Sequence, residues 1–222
     1  MIHCAMFDLG HVLVFFDTKR FYDFVEKHKH SAGNSQKILY SEYLAEYELG
    51  RISDDEFFEL FQRDFNLDVS FQKFFSEVVS NIKPDKKMVR VKNFLKDNGL
   101  KLAIVSNINR RQFEHARQQW PWVFAGFDSL ALSFKVGFRK PHPEIWRDAV
   151  KNLNVRPEEC FFIDDQKVNV AAFEQLGGVG HHYNVVDNKY LYNGRLKRER
   201  NKLVMKMYFL DMLTVEQAIK SR

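Results

Sequence analysis

Five short runs of aliphatic and aromatic residues constrain this chain more than any other feature, because the last four alternate with helix-patterned segments. The runs are Ile2 to Phe7, Leu102 to Val105, Ser129 to Leu132, Cys160 to Ile163 and Gly178 to Tyr183. Each has strand length and the β-branched or aromatic content of a buried strand. Among the intervening segments, Met88, Val91 and Leu95 recur on one helical face that stops at Asn98-Gly99, a C-terminal signal. Ile145, Ala149, Val150 and Leu153 predict a second helix, and Val168, Ala171, Ala172 and Leu176 a third. Strands alternating with helices in this way predict an α/β chain with an open, mainly parallel, Rossmann-like sheet covered by helices on both faces.

Between the first and second strands the rhythm breaks into an all-helical insertion, assigned to residues 17–85. Phe21, Phe24, Val25 and His28 have helical spacing, as do Tyr40, Tyr43, Leu44 and Tyr47. Ser53 and Glu56 have capping-box spacing ahead of Phe57, Phe58, Leu60 and Phe61, and Ser70 precedes Phe71, Phe74, Phe75, Val78 and Val79. Four short helices result. Eleven of the 22 phenylalanines lie between Phe15 and Phe75, enough to give the insertion a small core of its own. Residues 1–16 and 86–222 are assigned to the α/β core, and a chain of 222 residues suits one core plus a modest insertion.

The last part of that core, residues 184–222, is a C-terminal extension with no assigned role. Its basic run, Arg195, Lys197, Arg198, Arg200 and Lys202, reads as the solvated face of a helix that docks through Val204, Met207, Tyr208 and Met212. A net charge of +5 suits anionic partners without naming one. No apolar run reaches membrane-spanning length, so a cytoplasmic protein with no membrane partner is expected. Cys4 and Cys160 sit in strand-like runs and are expected to be buried thiols.

Ligands of an open parallel sheet bind beyond the carboxyl ends of its strands, and in this chain those ends carry reactive residues. Asp8 follows the first strand, Ser106 and Asn107 the second, and the pair Asp164-Asp165 the fourth, while Lys140 lies beyond the third. Three carboxylates brought together repel one another unless a cation neutralises them, and hard oxygen ligands with open positions suit Mg²⁺. An amide, a hydroxyl and an ammonium close by suit phosphoryl oxygens, and a carboxylate there can attack phosphorus.

These residues resemble the motifs of the haloacid dehalogenase (HAD) superfamily of phosphohydrolases over most of residues 1–183. Phe7-Asp8-Leu9-Gly10-His11-Val12-Leu13-Val14 is similar to the first motif, with Asp8 as nucleophile. Val105-Ser106-Asn107 resembles the second, which holds the phosphoryl group, and Arg139-Lys140-Pro141-His142-Pro143-Glu144 the third, in which Lys140 neutralises nucleophile and phosphate. Phe162-Ile163-Asp164-Asp165 with Asn169 resembles the fourth. The resemblance implies Mg²⁺ bound by Asp8, the Gly10 carbonyl and Asp165, with Asp164 and Asn169 supporting from behind. It also implies that the insertion is a cap over the substrate, since Glu48-Leu49-Gly50-Arg51-Ile52-Ser53-Asp54-Asp55-Glu56-Phe57 is similar to a segment common in capped members.

One position departs from the family pattern. Typical family phosphatases carry an acid–base aspartate two residues after the nucleophile, where this chain has Gly10. A glycine in an Asp-Leu-Gly-x-Val pattern resembles a subgroup that includes bacterial α-glucose-1-phosphate phosphatases. His11 is adjacent and titrates near neutrality, but an extended backbone would point it away from the Gly10 position. The expected activity is Mg²⁺-dependent hydrolysis of a small phosphate monoester, such as a sugar phosphate, through an aspartyl-phosphate. The expected partner is a small phosphorylated metabolite rather than a nucleic acid. A catalytically weak phosphate- or partner-binding protein is the alternative, whereas retention of Asp164 and Asp165 argues against C–halogen hydrolysis.

Overall fold

The computed structural model of the protein describes residues 2–31 and 41–183. The sequence readings made for Tyr40 and for the basic C-terminal segment 184–222 lie outside the described residues.

The five runs read from the sequence become one parallel sheet. Its strands are β1 (Cys4–Phe7), β4 (Lys101–Ser106), β5 (Ser129–Leu132), β6 (Cys160–Asp164) and β7 (Val179–His182), in the spatial order β5-β4-β1-β6-β7. The chain runs outward from β1 through β4 to β5, then crosses to the other side of β1 for β6 and β7. That reversal opens a crevice at the carboxyl end of the central strand.

Side chains alternate across β1, and each set meets a different helical layer. Ala5 and Phe7 pack with Met88, Val91 and Leu95 of α5 (Lys86–Asp97) and with Phe113 of α6 (Arg110–Gln119). Cys4 and Met6 face Ile145, Trp146 and Ala149 of α9 (Glu144–Leu153) and Phe173 of α10 (Lys167–Gln175). Cys4 and Cys160 are buried free thiols in register on neighbouring strands, and the contact with Cys160, followed by burial, pushes the Cys4 thiol up, which keeps it protonated.

The α10 helix exists where the periodicity placed it, but its buried face differs. Val168 and Ala171 are exposed, while Asn169, Val170 and Phe173 turn inward. A polar residue faces the core because Asn169 Nδ2 donates to both oxygens of Asp164 at 3.1 Å, which an apolar pattern cannot reveal.

The insertion folds as α1 (Thr18–His28), α2 (Glu42–Glu48), α3 (Asp54–Phe65) and α4 (Phe71–Ser80) around Phe21, Val25, Tyr47, Phe57, Phe61, Phe65 and Phe74. Tyr47 stacks on Phe57 at 4.2 Å, and Phe61 meets Phe74 at 4.9 Å. The capping box at Ser53 forms both ways, with Glu56 N donating to Ser53 Oγ at 3.2 Å and Ser53 N donating to Glu56 Oε2 at 2.7 Å. An antiparallel ribbon of β2 (Val14–Phe16) and β3 (Ile82–Pro84), not expected from the sequence, joins the two chain crossings at the neck of the insertion. Three-residue strands are too short to leave an alternation signal.

Candidate active site

Asp8, Ser106, Asn107, Asp164 and Asp165 are delivered to the crevice by the strands that end at or just before them, and Lys140 by the segment that follows β5. Asp8 N donates to the Ile163 carbonyl at 2.8 Å, which carries the pairing of β1 with β6 one residue past the end of β1. Asp8, Asp164 and Asp165 come together, with ligand-competent oxygens all within 4.8 Å of one another. Lys140 Nζ is driven into this group, 2.9 Å from Asp8 Oδ1 and 2.6 Å from Asp164 Oδ2, and its side chain is buried.

Charge decides the protonation states. Burial pushes the Asp8 carboxyl up to about 7; Lys140 opposes the rise, and the negative charges of Asp164 and Asp165 add to it. Burial alone would lower the Lys140 ammonium, but Asp164 and Asp8 outweigh it and hold the group above its ordinary value, so it stays charged. One ammonium does not balance three carboxylates. A divalent cation among hard oxygens would complete the balance, so the donor set fits Mg²⁺.

The Asp164 carboxylate is saturated by the chain itself. Lys140 Nζ, Asn169 Nδ2 and the backbone N of Gln166 all donate to it, the last at 2.7 Å. Ser106 is buried at the end of β4. Asn107 is used differently from the reading of its amide as a direct ligand for phosphate: Lys140 N donates to Asn107 Oδ1 at 2.7 Å and Asn107 Nδ2 donates to the Lys140 carbonyl at 2.9 Å. Its side chain therefore clamps the main chain of Lys140.

The backbone after Asp8 is not extended, as the sequence reading had assumed for His11. Leu13 N and Val14 N both donate to the Leu9 carbonyl, and His11 sits in the left-handed region with φ 55°. At Gly10 an added Cβ would meet nothing within 4 Å, so the turn does not require glycine for lack of space.

Two further charged residues border this centre and were not singled out from the sequence. Glu48, the last residue of α2, has a buried carboxyl whose Oε2 lies 2.6 Å from Arg139 Nη2, and Arg139 immediately precedes Lys140. Nothing in helical periodicity pairs a residue of the insertion with one of the core. Their only sequence signal is that both fall within motif-like segments.

A family model for haloacid dehalogenase-like hydrolases matches residues 2–177. The chain belongs to that family. Among the similar proteins, a sesquiterpene phosphatase of Aspergillus oryzae is 27% identical over 180 residues, covering 80% of this chain and 88% of that one. A drimenol cyclase of Aspergillus calidoustus is 26% identical over 182 residues, but the chain spans only 33% of that protein's length. A HAD-family enzyme of Bacteroides thetaiotaomicron, solved with magnesium and inorganic phosphate, superposes with a TM-score of 0.72 at 22% identity. That match covers 87% of this chain and 100% of the other, and establishes the shared fold.

Proposed function

We propose that this hydrolase is a Mg²⁺-dependent phosphatase that acts on a small phosphate monoester through an aspartyl-phosphate on Asp8. The carrying observation is the buried Lys140 ammonium lying between Asp8 and Asp164, with Asp165 in the same cluster. The phosphatase among the relatives and the magnesium- and phosphate-bound fold neighbour support this reading. Residues 17–85 serve as its cap.

In the first step an Asp8 carboxylate oxygen bonds to phosphorus and the ester O–P bond breaks, its electron pair leaving on the alcohol oxygen. Lys140 offsets the charge of Asp8 and of the phosphoryl oxygens, and the Ser106 hydroxyl donates to one of those oxygens. The phosphate contact expected of Asn107 falls to its main-chain N–H, since its side chain is tied to Lys140. Gly10 offers no carboxylate, so the departing oxygen takes its proton from water or from His11. Water then attacks phosphorus, the Asp8–phosphoryl bond breaks, and inorganic phosphate leaves with Asp8 regenerated. Mg²⁺ would be held by Asp8, the Gly10 carbonyl and Asp165, and would supply positive charge to carboxylates and phosphate alike. Asp164 and Asn169 hold Lys140 and the loop after β6 in place.

The test is phosphate release across sugar 1-phosphates, polyol phosphates and isoprenoid phosphates, with wild type and Asp8→Asn side by side. Release by the wild type and its loss in Asp8→Asn are expected. Equal release by both proteins overturns the mechanism, and phosphate binding without any release makes the chain a binding protein instead.

A further inference from the structure

We propose that Glu48 is a positioning residue for Lys140: its carboxylate holds the Arg139 guanidinium, and through the next peptide bond the seated cap sets where Lys140 stands. The inference rests on the phosphatase reading of the Asp8–Lys140 centre.

The end of α2, at Glu48, and the α2–α3 loop that follows it are held by two core elements, α8 (Ser133–Val136) and α6. Ser133, fully buried at the start of α8, donates its hydroxyl to the Glu48 carbonyl at 2.5 Å and accepts from Ile108 N at 3.0 Å. Gly50, with φ 70°, lies so close to α8 that a Cβ would come within 2.9 Å of the Phe134 carbonyl oxygen. On the far side, Asp54 accepts from Arg111 Nε at 2.5 Å and from the Tyr47 hydroxyl at 2.6 Å. Arg111 also lies over the rings of Phe71 and Phe75. These contacts fix the loop without using the Glu48 carboxylate, which is left to reach the residue before Lys140.

The pair is not built for stability. Its side chains are 16% exposed for Glu48 and 31% for Arg139, Oε2 meets Nη2 at 2.6 Å, and Arg139 Nε has no hydrogen-bond partner among the described residues. Partly buried ion pairs with an unmet polar atom often cost as much as they contribute, so the contact is read as placement rather than as folding energy. Burial raises the Glu48 carboxyl, and Arg139 followed by Lys140 opposes the rise, which ties this carboxylate to both cations. Lys140 itself has three restraints: Asn107 on its main chain, Asp8 and Asp164 on its ammonium, and Arg139 on its N-terminal side. Of these, the restraint through Arg139 is the one anchored on the cap, by Glu48.

The experiment measures binding of inorganic phosphate in Mg²⁺ buffer by calorimetry, for wild type, Glu48→Gln, Lys140→Ala and the double variant. Glu48→Gln is expected to weaken phosphate binding about tenfold or more, the scale of losing a charge-assisted buried contact. Added to Lys140→Ala, it is expected to change nothing, because its route to phosphate is gone. Wild-type affinity in Glu48→Gln, or the same loss in both backgrounds, overturns the proposal. Thermal unfolding identifies a variant that fails to fold; in that case Glu48→Asp, which keeps the charge on a shorter stem, goes through the same cycle. A wild type that binds phosphate without releasing it defeats the phosphatase reading but leaves this coupling measurable, and a wild type that does not bind phosphate overturns both.

Discussion

Asn107 and Lys140 are joined by two reciprocal hydrogen bonds, Lys140 N to Asn107 Oδ1 at 2.7 Å and Asn107 Nδ2 to the Lys140 carbonyl at 2.9 Å. A side-chain amide here does the work of a neighbouring strand, connecting the loop after β4 to the loop that bears Lys140. Asn107→Ala deletes both bonds and leaves a half-buried donor and acceptor unmet, at a cost of about 1–3 kcal/mol. Thermal unfolding is expected to fall by roughly 3–10 °C, with a larger proportional loss of phosphate release. Asn107→Asp keeps the acceptor for Lys140 N but sets an anion against the Lys140 carbonyl, so it is expected to be no better than Asn107→Ala. An Asn107→Ala protein with unchanged unfolding and unchanged release would remove the clamp from the mechanism.

The open space at Gly10 makes a gain of function testable. With nothing within 4 Å of a Cβ built there, the first atom of an aspartate side chain in Gly10→Asp displaces nothing. General acid help is typically worth about 10² to 10⁴ in rate, and the gain is largest where the leaving alcohol is a poor one. Release from an alkyl phosphate is expected to rise by about tenfold or more, while release from p-nitrophenyl phosphate changes little. A uniform change across both esters would show that the substituted residue acts on the fold or on metal binding rather than on the proton.

The sheet was legible in the sequence because each strand is a short apolar run, and three of them end at or just before a polar or charged residue. Asp8, Ser106 and Asp164 carry that signal themselves, and the order of those strand ends anticipated the site. Asn169 shows where periodicity stops: the motif resemblance set it behind the site, but its inward turn serves one hydrogen-bonded carboxylate, and polarity alone argues for the opposite face. His11 lies in a left-handed turn closed by backbone bonds to the Leu9 carbonyl, which leave no trace in side-chain pattern. Glu48 and Arg139 meet only because the insertion folds back on the core, a long-range contact that no local period encodes.

The carboxylate cluster predicts a pH-dependent response to Mg²⁺. Without a cation, the folded-state Asp8 carboxyl stands at about 7 against an ordinary 3.8, raised first by burial. A carboxyl raised on folding contributes stability that is fully present below the unfolded value and lost as pH rises through the folded one. Mg²⁺ takes the place of that proton, so its stabilisation is expected to grow between pH 5.5 and pH 8. At a concentration near 100 times Kd the gain is about 2.7 kcal/mol, or roughly 5–10 °C in Tm. Asp165→Asn is expected to lose most of it. An equal gain at both pH values, or an undiminished gain in Asp165→Asn, would contradict the assignment of this cluster to the ion.

Gly50 and Gly99 provide a matched pair for testing how firmly the insertion is seated. Both have positive φ, 70° and 85°, so alanine at either carries the backbone cost of a left-handed residue, about 1 kcal/mol. They differ in surroundings. Gly99 closes α5 with nothing within 4 Å of a Cβ, whereas a Cβ at Gly50 meets the Phe134 carbonyl oxygen at 2.9 Å, a backbone atom that cannot rotate away. Gly99→Ala is therefore expected to lower stability by about 1 kcal/mol and to leave phosphate release per folded molecule intact. Gly50→Ala must also push the α2–α3 loop off α8, carrying Glu48 away from Arg139. Its urea midpoint is expected to fall further than that of Gly99→Ala, and its phosphate release to drop even where the protein is fully folded. Equal effects of the two substitutions on both measurements would mean that the contact at Phe134 is incidental and that the insertion keeps its place by other means.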